Sequence, residues 1–242
     1  MYEERFYRNA VFSKFSLEIS HKESDLFIST NTKIDKELTL RILRKYYQEI
    51  EDYIKATPLF LTSLSPLEHD EAAPPIVKEM IESSHSTKIG PFSSVSGAIA
   101  QYVGKDLLNY TDEVIVENGG DIFLKINEDK RVGVYLGEKF QVANLLLRIK
   151  RRDNSFGIAS SSSCIGHSLN FGQADLVTIV AHDPIIADGF ATSLSNRIKK
   201  QKDAKETLAM AKKDPLIEGL LIALEGKIFL WGQIEIDNEN SL

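Results

Sequence analysis

The stretch that most constrains this chain is ADLVTIVAHDPIIADGFATSLSN, from Ala174 to Asn196. Leu176 to Ala181 has the length and apolar content of a buried strand, and His182, Asp183 and Pro184 then turn the chain directly into an apolar-patterned helix. A fold with this segment needs a sheet and a helix next to it. Asp188 and Thr192 stand at i and i+4 on that helix, sharing a face near its start, where unpaired N–H groups and the helix dipole also favour anions. A hard cation such as Mg²⁺ takes one or two carboxylates, keeps some water and lets substrate phosphates complete its shell. The same pair also suits a simpler use, with Asp188 capping or charging the first turn and Thr192 bonding back to a carbonyl. Both readings stay open at this level.

The rest of the chain alternates in the same way. Phe12 to Ser20 and Asp25 to Thr30 alternate apolar and polar residues around a turn at His21 to Ser24, which predicts a hairpin. From Asp35 to Lys55, the positions Leu38, Ile42, Tyr46, Ile50 and Ile54 recur every four residues, the pattern of a helix with one buried face, closed by Pro58. Residues 57 to 75, with four prolines, read as a loop leading into a helix from Ile76 to about Ser83. Further strands are expected at Val114 to Val116, Ile122 to Ile126, Arg131 to Tyr135, Leu145 to Ile149 and Phe156 to Ala159. A helix at Lys202 to Lys212 and a strand pair at Ile217 to Leu224 and Lys227 to Ile236 follow, with Trp231 and the aliphatics of the pair closing the core.

Three other segments carry candidate chemistry. Ser93 or Ser94 can cap a helix whose opening turns hold Ser96, Gly97, Ala98 and Ala100; small residues there admit a flat ligand, or simply let helix and sheet pack tightly. Asn118-Gly119-Gly120-Asp121 allows positive φ and exposes backbone N–H groups, while its Asn and Asp can bond a ligand edge or their own turn. Ser160 to Ser163, ahead of Cys164 and His167, offers several hydroxyl donors to a phosphate, and equally reads as a surface loop.

Composition narrows the partners. With 29 Lys plus Arg against 35 Asp plus Glu, a net charge of −6 argues against nucleic acid as the main partner, and the two short basic runs, at 148–152 and 199–202, are too small for a phosphate track. The apolar runs are interrupted by Glu218, Glu225 and Lys227, so no membrane span is expected. Cys164 is the single cysteine, and MYEERFYRNAVFSKF carries neither the apolar stretch of a leader nor a lipid-accepting cysteine; together these predict a cytoplasmic protein.

SGAIAQYVG (Ser96 to Gly104), VENGGDI (Val116 to Ile122) and ADGFAT (Ala187 to Thr192), in this order, resemble the ApbE family, FAD-dependent flavin transferases that move FMN onto a Ser or Thr of target proteins. The chain looks closer still to a shorter, signal-less group related to that family. The resemblance implies a single α+β domain over residues 1–242, ApbE-like and T-fold-resembling, with an antiparallel or mixed sheet packed by helices. Residues 1–56 would supply a hairpin and helix, and 90–231 the family motifs. It implies Mg²⁺ held by Asp188, Thr192 and the backbone carbonyl of Ala98. Ser96, Gly97, Gln101, Asn118, Gly119, Gly120, Asp121, Ser161, Ser162 and Ser163 would line a site for FAD or a related flavin nucleotide, and Asp188 and His167 would serve catalysis. A protein acceptor is implied too, and the chain leaves room for a homo-oligomer. Two departures stand out: Gln101 replaces the family's usual Lys, and Ser168-Leu169-Asn170-Phe171-Gly172 replaces its Asp-Pro-x-Thr-Gly. Retained Asp188 and Thr192 point to transfer or hydrolysis at a pyrophosphate; the departures point to a non-catalytic flavin or nucleotide-binding protein, or to a structural one that keeps the fold.

Overall fold

In the computed structural model, which describes residues 14–137, 140, 144–162 and 171–237, alternating residues build the expected first hairpin from β1 (Phe15–His21) and β2 (Ser24–Thr30). Helix α1 (Lys36–Ala56) begins where Asp35 accepts the Leu38 N–H at 2.8 Å, and it turns Ile42, Leu43, Tyr46 and Ile50 into the core. Pro58 does not simply end it: the presumed loop contains a short helix, α2 (Leu59–Thr62), whose Phe60 is fully buried. Helix α3 (Pro75–Thr87) takes Pro75 in its first turn and runs four residues past Ser83.

A 3-10 turn at Pro91–Ser94 leads into α4 (Val95–Leu107). The expected serine cap is absent there. Ser94 occupies the cap position, but its hydroxyl donates back to the Pro91 carbonyl at 3.0 Å, while Ser93 donates to Gly90. The chain continues through β3 (Val114–Asn118), β4 (Asp121–Lys125), β5 (Lys130–Tyr135), β6 (Asn144–Ile149), β7 (Phe156–Ser161) and β8 (Leu176–Ala181). Helices α5 (Pro184–Arg197) and α6 (Gln201–Ala211) follow, then β9 (Ile217–Leu224), β10 (Lys227–Gly232) and β11 (Glu235–Ile236).

Eight strands form one antiparallel sheet in the order β1-β2-β3-β4-β7-β8-β9-β10, and β11-β6-β5 form a second. The strand expected from Lys227 to Ile236 is therefore two strands. Gly232, at φ 83°, lies where a Cβ would meet the Glu218 carbonyl oxygen at 2.2 Å; beyond it Glu235 and Ile236 pair with Arg148 and Leu147 of the small sheet. Helices α1, α3 and α4 cover one face of the large sheet at its β1–β4 end, and α5 and α6 cover the same face over β7–β9. The small sheet packs against the opposite face through Val132, Val134, Leu147 and Ile149. Trp231 packs partly buried against the α5–α6 cluster, but Ile228 and Leu230 are exposed, so β10 closes the core from one side only. No helix among the described residues is long and apolar enough to cross a membrane.

Candidate functional site

Helix α5 follows β8 by a tight turn, and the residue that caps it is Asp183, whose Oδ1 accepts the Ile186 N–H at 2.8 Å. Asp188 is thereby released from capping its own helix. It lies in the second turn, 7% exposed, and its Oδ2 accepts the Gly97 N–H at 3.0 Å. Gly97 is the third residue of α4, so its N–H belongs to the unpaired set at that helix's start, and Asp188 supplies from α5 the cap that Ser94 withholds. The approach leaves no room for a side chain at Gly97. A Cβ would stand 2.4 Å from the Pro184 carbonyl oxygen and 3.0 Å from the Asp188 Cβ.

The second partner of Asp188 is Asp121, the first residue of β4, 6% exposed and hydrogen-bonded to it. Burial pushes the Asp188 carboxyl up to about 7, against the bonds from Gly97 and Asp121, which pull it down. Two acids this close and this dry ionise together only with a positive charge near them. The β3–β4 turn holds the pair in place. Asn118 donates from Nδ2 to the Ser96 carbonyl at 3.1 Å, fastening the turn to the start of α4, and the Gly120 N–H donates to Glu117 Oε1 at 2.9 Å. Gly119 and Gly120 have φ of 67° and 103°, as expected of them.

Register brings the end of β7 to the same place. A Cβ on Gly120 would lie 3.9 Å from the Ser160 carbonyl oxygen; Ser161 is buried beyond it, and Ser162 donates to the Asp175 carbonyl at 2.7 Å. Thr192 is buried one turn past Asp188 on α5, and Ala98 is buried beside Gly97 on α4. Gln101 is also buried, but its Nε2 donates to Glu79 of α3 at 2.5 Å, and Glu79 accepts from the Tyr102 hydroxyl at 2.8 Å as well. Burial, and then the Glu79 bond, hold that phenol far above its usual range. His167, Ser163 and Cys164 lie outside the described residues.

Among the described residues no three His, Cys, Asp or Glu side chains come together as a metal cluster. What the junction joins is two buried carboxyls and a backbone N–H, oxygen chemistry on its acid side. That chemistry fits Mg²⁺ rather than a thiophilic metal. A cavity of about 430 Å³ lies at the small sheet, where Arg131 pairs with Asp237 and Arg148 with Asp129. Its charges neutralise one another, so the buried acids are the better candidate. Two residues that pattern reading passed over are Glu117 and Glu79. An acid inside the apolar run Val114 to Asn118 was the available signal for the first; Glu79, on a mixed helical face, gave none.

A family profile described as "AbpE bacteria" matches residues 8–218. A UPF0280 protein of Methanocaldococcus jannaschii is 34% identical over 226 residues, 91% of each chain, and one of Methanococcus maripaludis is 39% identical over 186 residues, 75% of each. Among solved structures, the flavin transferase ApbE from Vibrio cholerae matches with a TM-score of 0.61 at 12% identity, covering 90% of this chain and 96% of that one. The apo form of Pseudomonas stutzeri flavinyl transferase ApbE gives 0.59 at 11%, covering 91% and 96%. At such identities the likeness to the solved structures is one of fold.

Proposed function

The chain belongs to the AbpE bacteria family, and from that premise we propose that it binds a flavin nucleotide of the FAD type with Mg²⁺ and acts at the pyrophosphate, moving FMN to a protein hydroxyl or hydrolysing the bond. The observation that carries this reading is the buried Asp188–Asp121 pair beside the α4 start. Two carboxyls kept from water at the meeting point of α4, α5 and a glycine turn are costly unless a cation joins them. Asp188, Asp121, Thr192 and the Ala98 carbonyl would hold the ion, and Ser96, Asn118 and the Gly119-Gly120 backbone would line the phosphate side of the site. Mg²⁺, when bound, offsets pyrophosphate charge and orients it. Ser161, Ser162 and Ser163 add hydroxyl donors, and His167 carries the proton of the attacking hydroxyl.

A melting scan with FAD, FMN and ATP, each with Mg²⁺ and with EDTA, tests this. FAD at a hundred times its Kd raises stability by about 2.7 kcal/mol if it binds only the folded state. The expected result is an FAD shift that EDTA abolishes, followed by release of AMP. No shift with any nucleotide overturns the reading. A second reading draws on one observation: Gln101, in place of the family's usual Lys, is neutral and already engaged by Glu79. It assigns binding without chemistry, with stoichiometric FAD uptake and no AMP as its signature.

A further inference from the structure

We infer that Phe171 is a stacking platform for a flat heteroaromatic ring of the bound nucleotide, at the outer end of the Asp188–Thr192–Asn196 stripe of α5. This rests on the nucleotide reading above and adds to it the place where a ring is held. Phe171 and Tyr110 are the two Phe, Tyr or Trp residues among the described ones that are more than half exposed, at 55% and 52%. Tyr110 lies beyond the last turn of α4, at the far end of that helix from Gly97. Phe171 lies beside the last turn of α5, where its N–H meets Asn196.

Asp188, Thr192 and Asn196 follow one another at four-residue spacing, so they form a stripe along α5. Along it burial relaxes: the first two are buried and Asn196 is half-buried. At the stripe's outer end Asn196 Oδ1 accepts the Phe171 N–H at 2.8 Å, and the Gln173 N–H donates to the Ile198 carbonyl at 2.7 Å. The backbone is thus fastened on both sides of an apolar ring left in water. Eight helical residues place the ring's anchor about 12 Å from Asp188 along the axis, an interval that the sugar or ribityl arm of a dinucleotide bridges. Sheet register agrees: Ser162 bonds to Asp175, just past Phe171, at the same sheet end as Gly120 and Ser160. An exposed phenyl fixed there offers a π-face to any base or isoalloxazine.

The test measures FAD, FMN and ADP affinity, with Mg²⁺, for the wild type, Phe171→Ala, Phe171→Trp and Asp188→Ala. Phe171→Ala is expected to lose about tenfold in FAD affinity with an unchanged melting temperature in the absence of ligand, and Phe171→Trp to keep it, with flavin fluorescence quenched on binding. Loss shared with FMN assigns the isoalloxazine to the platform, and loss shared with ADP the adenine; either supports it. Phe171→Ala affinities within twofold of wild type for all three ligands overturn the platform alone, provided Asp188→Ala weakens FAD. A wild type that binds none of the three overturns the nucleotide reading and the platform together.

Discussion

Two acid-rich regions of this protein differ in one respect. At the small sheet, Asp129, Glu235 and Asp237 each face a base, Arg148, Lys150 and Arg131, and most of these side chains are wet. At the α4–α5 junction Asp188 and Asp121 are dry, and Asp188 is bonded to a backbone N–H and to the other acid. Exposed ion pairs contribute about 0–1 kcal/mol each, because water already solvates both charges. A buried acid without a countercharge costs several times that. The chain can tolerate such a cost only at a few positions, and one of them is the place where two helices and a glycine turn converge. An imbalance between burial and charge marks the junction more clearly than the number of acids does.

The largest effect is expected from closing the junction sterically. Gly97→Ala must push α4 off Pro184, and it should cost about 3 kcal/mol, the upper range for overpacking, read as a lower urea midpoint. A midpoint equal to wild type would mean that the helices part freely and the geometry is not what confines Asp188.

Next comes the charge itself. Burial raises the folded-state carboxyl of Asp188 to about 7 from 3.8. Below the lower value both states are protonated and nothing is lost; as pH rises through 7 the folded state gives up stability, because its proton is held more tightly than in the unfolded chain. Asp188→Asn copies the protonated acid, and its amide oxygen can still accept from Gly97. In EDTA it should therefore be more stable than wild type at pH 8, with the gain shrinking as the pH falls towards 4. A constant difference across that range would show that Asp188 is already ionised and compensated. The smallest effects belong to the wet region: Arg148→Ala and Lys150→Ala should each change stability by less than about 0.5 kcal/mol, and 1 M salt should erase the difference. A loss above 2 kcal/mol for either would remove the contrast between the regions.

Most of the elements could be read from residue order. The four-residue recurrence of Leu38, Ile42, Tyr46 and Ile50 specifies α1, because side chains one turn apart share a face whatever lies opposite. Leu176 to Ala181 and the Asp183-Pro184 start of α5 are likewise local, fixed by strand content and helix-start chemistry. Gly119 and Gly120 announced their turn through the positive φ that it requires. What order could not supply was competition between partners. Ser94 suits a cap by type, yet its hydroxyl finds the Pro91 carbonyl first, and the vacancy at α4 is met by Asp188, 91 positions away in the chain. Gly232 ends β10 because a neighbouring strand occupies the space of its missing side chain, which sends β11 to a different sheet. Local spacing sets which atoms a helix or strand presents; desolvation and the choice among hydrogen-bond partners depend on distances that exist only after the chain has closed on itself.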